Sequence, residues 1–365
     1  MRTLPTWYTA FVIPIVQLIA ALAISSLVVL MVGENPFKAL GILVNGAVNL
    51  QYGLSSTLYY ATNFIFTGLA VAVAFHGGLF NIGGEGQAYF AGIAVAAACV
   101  ALDAVLPAPL MALVAIVAAI VGGAIWAFIP GWLQAKRGSH LVVTTIMFNF
   151  IAFSVVNLLL MSYFTDPKTL AVESRYFADD AILPMAHELF RSWGFKMPKS
   201  LLNTAFIVAL ITAALVWWLL WRTKLGYAIR AVGQNPRAAD YAGIGRSRVI
   251  IITVLISGGL AGLMAFNEVY GAQHRMVLAF TNGFGFIGIA VALMGRNHPF
   301  GVVLAALVFG GLYQGGTDLQ FDMPSLSREL ILVIQGLVIY FTSATDQLLR
   351  SPLEKLYLRL APKEA

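Results

Sequence analysis

The sequence is poor in charge and contains a single cysteine. Asp, Glu, Lys and Arg make up 10% of the 365 residues, whereas an ordinary soluble domain contains about 25%. Cys99 on its own excludes an internal disulfide, and its position in an apolar run is typical of a small packing residue. Hydrophobic residues make up 60% of the chain, and the mean hydropathy is +0.85. These values exclude a large water-soluble domain.

Charge is missing altogether from long stretches of the chain. Residues 3–33, 39–84, 104–135, 138–165, 200–221, 249–267, 276–295, 297–317 and 330–345 contain no Asp, Glu, Lys or Arg. A helix of about 20 apolar residues crosses the hydrocarbon core of a bilayer and satisfies its own backbone polar groups. The pattern predicts an all-α, polytopic membrane protein, a single domain over residues 1–365 with about ten transmembrane helices and some broken or re-entrant segments. The predicted spans lie near 11–32, 54–75, 87–106, 109–130, 140–161, 201–221, 249–270, 283–295, 300–317 and 329–345.

The distribution of Lys and Arg predicts the orientation of these spans. Residues 222–248 are rich in Lys and Arg and contain Asp240 as their single acidic residue, which is typical of a cytoplasmic loop. Residues 162–200 balance basic and acidic side chains and are rich in aromatic residues, so we expect them on the opposite face, either as a structured cap or as a plain loop. Ten alternating spans then place both termini, including a tail over 346–365, in the cytoplasm.

Motifs of enzymes and nucleotide-binding proteins are absent. The chain contains no G-x-x-x-x-G-K-[ST] phosphate-binding loop, so we predict that it does not itself bind ATP in that way. H-E-x-x-H, C-x-x-C and G-x-S-x-G are missing, and the histidines are scattered. We therefore predict no catalytic residue, no metal site and no cofactor in this chain. The net charge of +6 lies in short loops, which indicates membrane topology and no nucleic-acid partner.

A glycine-rich polar segment, residues 75–87, interrupts the apolar runs. Glycine lets the backbone leave helical geometry, which a membrane tolerates only where that backbone is buried in protein or lines a wet cavity. A charge at bilayer depth costs roughly 2.5–3.5 kcal/mol. Glu85 is therefore predicted to line a transport pathway or to clamp two helices together. The alternative is a cap on the helix that begins near Gln87.

Polar side chains also recur along two predicted spans. They are Tyr59, Tyr60, Asn63, Thr144, Thr145, Asn149 and Asn157. Thr145 and Asn149 are one helical turn apart and share a face. Such residues either line a pathway or bond one helix to another. Glu268, His274 and Arg275 stand at the end of a span and are expected at the outer membrane interface.

The basic loop contains a short helix candidate. Gly233-Gln234-Asn235-Pro236 interrupts the chain, and Pro236 suits the first turn of a helix that would include Ala238, Ala239 and Tyr241. A short helix on a cytoplasmic loop is suited to docking another protein, and the alternative is a positively charged loop without a partner.

A faint internal repeat relates residues 68–72 to 288–292. Gly68-Leu69-Ala70-Val71-Ala72 is similar to Gly288-Ile289-Ala290-Val291-Ala292. Repeats are common in transporters, although a chain rich in Gly, Ala and Val also produces short matches by chance.

Several segments together resemble a known family. Residues 226–236, 238–239, 241–244, 257–263, 292–295 and 299–301 resemble the coupling-helix region and following spans of ABC-importer permeases of the ribose and branched-chain amino acid type. Residues 80–87, 129–131 and 144–149 resemble the nucleoside branch of this family, which works with a Bmp-type binding lipoprotein. The resemblance covers roughly 54–345. Two positions depart from the pattern of this branch. The branch usually has Asn-Glu in place of His140-Leu141 and a larger residue in place of Gly84. Either difference could alter the substrate preference.

The resemblance implies one permease subunit of an ATP-driven importer in the bacterial inner membrane. It implies an extracytoplasmic substrate-binding lipoprotein, a second related permease and a cytoplasmic ABC ATPase that binds the ATP. The ATPase would dock on Gly233, Asn235, Pro236, Ala238, Ala239 and Tyr241. A nucleoside needs aromatic faces for its base and amide or carboxylate groups for its polar edges. The predicted pathway residues are Tyr60, Phe75, Phe80, Asn81, Glu85, Gln87, Thr145 and Asn149.

Three other functions fit the same composition. The same architecture could transport ribose or another simple sugar. An ion-coupled carrier or channel would transport without an ATPase, which the docking loop disfavours. An intramembrane enzyme would need converging acid, base or metal groups, and the sequence supplies no obvious set.

Overall fold

The computed structural model describes residues 13–50, 52–165, 171–192, 194 and 198–326, and scattered positions between 330 and 341. In this part of the chain the protein is helical, with two isolated β-bridges, Thr165–Ser174 and Glu173–Val277. The prediction of an all-α protein is confirmed. The predicted tail over 346–365 lies outside the described residues, and so does most of the predicted span over 329–345.

Thirteen α-helices lie in the described chain. In chain order they are α1 (Ile13–Met31), α2 (Pro36–Val48), α3 (Gly53–His76), α4 (Gly84–Leu102), α5 (Ala108–Arg137), α6 (Leu141–Leu159), α7 (Ala186–Ser192), α8 (Ala205–Arg222), α9 (Lys224–Gln234), α10 (Pro236–Tyr241), α11 (Arg246–Ala265), α12 (Phe284–Met294) and α13 (Pro299–Asp322). Two of them continue into π-helical turns, α6 into Leu160–Phe164 and α11 into Phe266–Ala272.

Seven helices of the described chain are long and apolar enough to cross a membrane. They are α3, α4, α5, α6 with its π turn, α8, α11 with its π turn, and α13. The predicted span over 283–295 is the 11-residue α12, which at 1.5 Å per residue covers only about half of a 30 Å hydrocarbon core. The sequence analysis also missed α2, a short apolar helix of 13 residues.

Residues 50–310 form one compact unit in which α11 packs against α5 and α3. Small residues allow the close approach of α11 and α5. A Cβ atom on Gly123 would lie 2.2 Å from the carbonyl oxygen of Gly258, and a Cβ atom on Gly262 would lie 2.2 Å from that of Ala119. Helices in membranes associate through such close contacts because lipid provides no hydrophobic drive between them.

A second compact unit comprises residues 1–49 and 311–365. Its described core combines α1, α2, the end of α13 and the residues beyond it, through Val29, Ala39, Leu319, Met323, Leu326 and Ile334. The Asn35 side chain accepts hydrogen bonds from the backbone N–H groups of Phe37 and Lys38, and Pro36 occupies the first turn, so α2 begins where its cap requires.

The described part of residues 162–200 is tied to the ends of the spans by two ion pairs. Arg175 donates to both carboxylate oxygens of Asp103, at 2.7 and 2.9 Å. These bonds hold the pKa of the Asp103 carboxyl below its ordinary value. Arg275 donates to Glu173 at 2.5 Å and lies over the ring of Tyr176, 4.3 Å from its centre. These bonds give the segment a defined structure against α4 and the chain after α11.

Candidate functional site

Residues 77–83 of the glycine-rich segment form a non-helical loop between α3 and α4, which is held by the side chain of Asn81. Its Nδ2 donates to the Gln87 side-chain oxygen at 2.9 Å and to Ser257 Oγ at 2.8 Å. Its Oδ1 accepts from the backbone N–H of Gly83 at 2.8 Å and from Gln87 Nε2 at 3.2 Å. Ser257 in turn donates to the carbonyl of Ala70 at 2.7 Å. The loop is thereby fastened to α3, α4 and α11.

Asn149 on α6 binds the same loop from the other side. Its Oδ1 accepts from the backbone N–H of Gly86 at 2.9 Å, and its Nδ2 donates to the carbonyl of Ile82 at 3.0 Å. Buried backbone groups outside a helix need such partners. Thr145, one turn earlier, donates to the carbonyl of Leu141 at 2.8 Å. Asn81, Gln87, Thr145 and Asn149 are all buried.

Glu85 joins two helices. The residue is 2% exposed, and its Oε1 and Oε2 accept hydrogen bonds from the backbone N–H groups of Gly283 and Gly285, both at 2.8 Å. These N–H groups belong to the first turn of α12, where a negative charge is favourable. A Cβ atom on Gly285 would lie 2.3 Å from the Glu85 nitrogen, so glycine is required for this approach. The geometry is that of an inter-helix clamp, one of the alternatives for Glu85.

The predicted aromatic residues lie in two places. Phe75 and Phe80 are partly buried and pair with each other at the loop, their ring centres 5.1 Å apart. Tyr60 is also partly buried and lies on α3, with its ring centre 6.0 Å from that of Phe284 and 5.0 Å from that of Tyr59. The eight predicted pathway residues therefore do not form one cluster.

The predicted docking segment forms the junction between α9 and α10. The Asn235 side chain accepts from the N–H groups of Arg237 and Ala238, both at 3.1 Å, and Pro236 is the first residue of α10. Ala239 is buried, whereas Ala238 is exposed and Tyr241 is 95% exposed. The helix candidate from the sequence is confirmed, and one of its faces is open.

Gly233 connects this junction to the end of α3. A Cβ atom on Gly233 would lie 2.2 Å from the carbonyl oxygen of His76 and 2.7 Å from the nitrogen of Gly78. Gly78 has a φ of +68°, in the left-handed region that favours glycine. The turn that begins the glycine-rich loop thus rests directly on the docking segment.

A second polar cluster was missed in the sequence analysis. Glu268 was expected at the membrane interface, but it is 2% exposed and lies in the π-helical turn after α11. Its Oε1 accepts from Tyr59 Oη at 2.6 Å and from Asn63 Nδ2 at 2.5 Å. Asn267 donates to Asn63 Oδ1 at 2.8 Å and accepts from Asn203 at 2.9 Å. The one available signal was the spacing of Tyr59 and Asn63, four residues apart on one helix face.

The chain also belongs to a known family. Residues 53–343 match the family described as branched-chain amino acid transport system / permease component. This match covers more than half of the chain, which is therefore a member of this family, and the predicted family is confirmed. The protein is a multi-pass permease subunit of an ABC transporter in the plasma membrane, a class that works with a separate ATPase and a substrate-binding protein.

Relatives of similar length extend over nearly the whole chain. The glucose ABC transporter permease protein TsgB13 of Haloferax volcanii is 34% identical over 348 residues, covering 94% of this chain and 90% of the relative. The guanosine ABC transporter permease protein NupP of Bacillus subtilis is 33% identical, covering 91% and 93%. The nucleoside ABC transporter permease protein NupB of Lactococcus lactis is 32% identical, covering 90% and 89%.

Proposed function

We propose that this chain is one permease subunit of an ATP-driven importer of nucleosides. The assignment of the substrate rests on the similarity to NupP and NupB, whose names specify guanosine and nucleosides. This similarity extends over about nine-tenths of each chain. The motifs at 80–87 and 144–149 support the same branch. In the structure these two motifs are in contact, because the Asn149 side chain bonds to the backbone of Ile82 and Gly86.

The proposed topology has about ten membrane crossings and both termini in the cytoplasm. Residues 222–248 form the cytoplasmic coupling loop, residues 162–200 form an extracytoplasmic cap and residues 346–365 form a cytoplasmic tail. The concentration of Lys and Arg in the coupling loop supports this orientation. The half-length α12 is then the helical part of a broken crossing within a single permease domain over residues 1–365.

In this assembly the chain pairs with a second related permease, and a cytoplasmic ATPase binds the ATP. The docking segment comprises Gly233, Asn235, Pro236, Ala238, Ala239 and Tyr241. Asn235, Ala238 and Tyr241 are exposed on its open face, whereas Ala239 is buried beneath it. A lipid-anchored binding protein delivers the nucleoside to the outer face. We assign no catalysis, metal or cofactor to this chain itself.

The coupling route runs from the docking segment to α12. Movement of α9 and α10 is transmitted through the contact of Gly233 with the turn at Gly78. The loop fastened by Asn81 and Asn149 carries the movement to Glu85. The Glu85 carboxylate then moves the first turn of α12. Gln87 supports this route by its hydrogen bonds to Asn81 in the loop, and Thr145 by its hydrogen bond to the Leu141 carbonyl within α6.

The aromatic residues supply the apolar surface of the substrate pathway. Tyr60, Phe75 and Phe80 are partly buried, and aromatic rings of this kind stack on a nucleobase. Because both oxygens of Glu85 accept backbone hydrogen bonds, we assign Glu85 to pathway gating rather than to direct substrate contact.

A sugar is the second candidate substrate. The relative TsgB13, named for glucose, is as similar to this chain as the nucleoside permeases are. Ribose is a pentose and also part of every ribonucleoside, so competition with free sugars separates the two candidates.

The test is uptake of labelled uridine and adenosine by cells that express the complete transporter and lack their own nucleoside uptake. We expect accumulation that excess ribose or glucose leaves unchanged, and no accumulation when the ATPase subunit is omitted. Competition by either sugar, or no nucleoside uptake, would overturn the nucleoside assignment. Uptake by this chain alone would overturn the ABC mechanism and favour an ion-coupled carrier.

A further inference from the structure

The protein buries a second carboxylate, Glu268, in a setting unlike that of Glu85. Glu268 lies at the end of a predicted span, within the π-helical turn Phe266–Ala272. Single π-helical turns within α-helices occur frequently at functional sites. No Lys, Arg or His forms an ion pair with Glu268 among the residues that the structure describes. A buried acid without a cation is expensive, and in membrane proteins such acids mark pathways.

The two oxygens of Glu268 are not used equally. Tyr59 and Asn63 both donate to Oε1, at 2.6 and 2.5 Å. Oε2 makes no hydrogen bond within the described chain, whereas both oxygens of Glu85 accept backbone N–H groups. Oε2 of Glu268 can therefore accept a further hydrogen bond, whereas both oxygens of Glu85 are already bonded. Tyr59 and Asn63 hold the Glu268 carboxylate in one orientation through Oε1.

The surroundings of Glu268 combine polar and aromatic groups. Asn63 receives a hydrogen bond from Asn267, which is itself bound by Asn203, so the amide orientations are determined along the whole chain of bonds. Tyr59, which donates to Glu268, contacts the ring of Tyr60, and Tyr60 contacts Phe284 at the start of α12. A carboxylate that accepts hydrogen bonds from hydroxyl groups and an adjacent aromatic ring are the two groups that a nucleoside requires.

We propose that Glu268 is a specificity-determining residue that binds the ribose hydroxyls of a nucleoside within the permease, through Oε2. The proposal rests on the proposed function and names the part of the substrate that this site recognises. A carboxylate oxygen has two lone pairs, so Oε2 can accept from the neighbouring 2′- and 3′-hydroxyls of a ribonucleoside. The site opens to the pathway during the transport cycle, and Tyr60 supplies the ring surface beside it.

The decisive variant is Glu268→Gln. A glutamine side chain retains one oxygen that can accept from Tyr59 and Asn63. Its amide NH2 group takes the place of Oε2, and this group donates hydrogen bonds but cannot accept them. The complete transporter is reconstituted with the same binding protein throughout, so that the contribution of the binding protein to selectivity cancels between variants. Uridine uptake gives KM and kcat, and competition by unlabelled uridine and 2′,3′-dideoxyuridine gives the hydroxyl selectivity. Glu188→Gln, which removes an exposed carboxylate, is the matched control.

We expect Glu268→Gln to raise the KM for uridine, and to reduce the selectivity for uridine over the dideoxy analogue, by about tenfold, as for the loss of one hydrogen bond to a charged group. The amount of folded protein and the ATP hydrolysis rate should match those of Glu188→Gln. Tyr59→Phe, which removes only a donor to Oε1, should produce a smaller change of the same kind.

Two results would overturn the proposal while leaving the proposed function intact. One is wild-type KM and selectivity in Glu268→Gln, which would make the cluster a helix clamp. The other is an equal loss of uptake for all substrates with unchanged selectivity, which would make it structural. Absence of nucleoside uptake by the unmodified transporter would instead overturn the proposed function, and this site with it.

Discussion

At the scale of single residues, the protein uses its two buried acids in different ways. Glu85 could be singled out from the sequence because glycines surround it, and the structure adds what it holds, the first turn of α12. Glu268 was misplaced at the interface because its neighbours in the sequence, Val269 and Tyr270, resemble the end of an ordinary span. Its partners Tyr59 and Asn63 are some 200 residues earlier in the chain. No local pattern contains such a contact.

Substitution of Glu85 tests the clamp. Glu85→Ala leaves the buried N–H group of Gly285 and the partly buried N–H group of Gly283 without this acceptor, and an unsatisfied buried donor costs about 1–3 kcal/mol. Glu85→Gln keeps one oxygen that can accept a hydrogen bond, and its amide NH2 group faces the second backbone N–H group, to which it cannot bond. We expect uptake to fall in both variants and the unfolding temperature to fall more in Glu85→Ala, as measured by thermal unfolding in detergent and by uridine uptake. Full activity of Glu85→Gln would contradict a role in gating.

At the scale of elements, the interruptions of the helices carry the specific contacts. The loop between α3 and α4, the π turn after α11 and the short α12 are all departures from a regular span, and each makes polar or very close contacts. The segments around Gly68 and Gly288, similar in sequence, pack against each other, since a Cβ atom on Gly288 would lie 2.5 Å from that of Thr67. The existence of these breaks could be predicted from glycine content. The bounds of α12 were predicted to within one residue at each end, but its 11 residues are too few to cross a membrane as a helix.

The contact of Gly233 provides a test of the coupling route. In Gly233→Ala the new methyl group collides with the carbonyl of His76, and overpacking of this kind costs about 1–3 kcal/mol. We expect nucleoside uptake to fall by about tenfold or more while the ATPase retains hydrolysis, because the exposed docking residues Ala238 and Tyr241 are unchanged. Parallel assays of ATP hydrolysis and uptake in proteoliposomes measure the ratio of the two.

Gly245→Ala is the matched control for this variant. Gly245 lies in the same loop, and a Cβ atom added to it would meet no other atom within 4 Å. Its φ of −67° is one that any residue adopts. The substitution should therefore preserve both activities. Equal behaviour of the two variants would show that the Gly233 contact does not transmit movement.

At the scale of the whole molecule, the charge distribution predicts which face is cytoplasmic. The chain offers a convenient background for testing this, because Cys99 is its single cysteine and is buried. In a Cys99→Ala background, Tyr241→Cys should react with a membrane-impermeant maleimide only after the cells are permeabilised, since Tyr241 is exposed on the predicted cytoplasmic loop. Glu188→Cys, on the predicted outer segment, should react in intact cells. Reversed labelling would invert the topology, and labelling of both from one side would contradict an alternating arrangement.

The amino-acid sequence alone was enough to predict the membrane class, the helical fold, the family and the short helix that begins at Pro236. These follow from composition along the chain and from local motifs, because the bilayer imposes long apolar helices and a helix cap needs only neighbouring residues. The pairing of the buried polar groups, in contrast, is visible only in the folded protein. Asn63 and Glu268 are 205 residues apart, and Glu85 and Gly283 are 198 apart. Such pairs depend on how the helices pack, and packing is set by the combined shape of many small contacts such as those of Gly123 and Gly262.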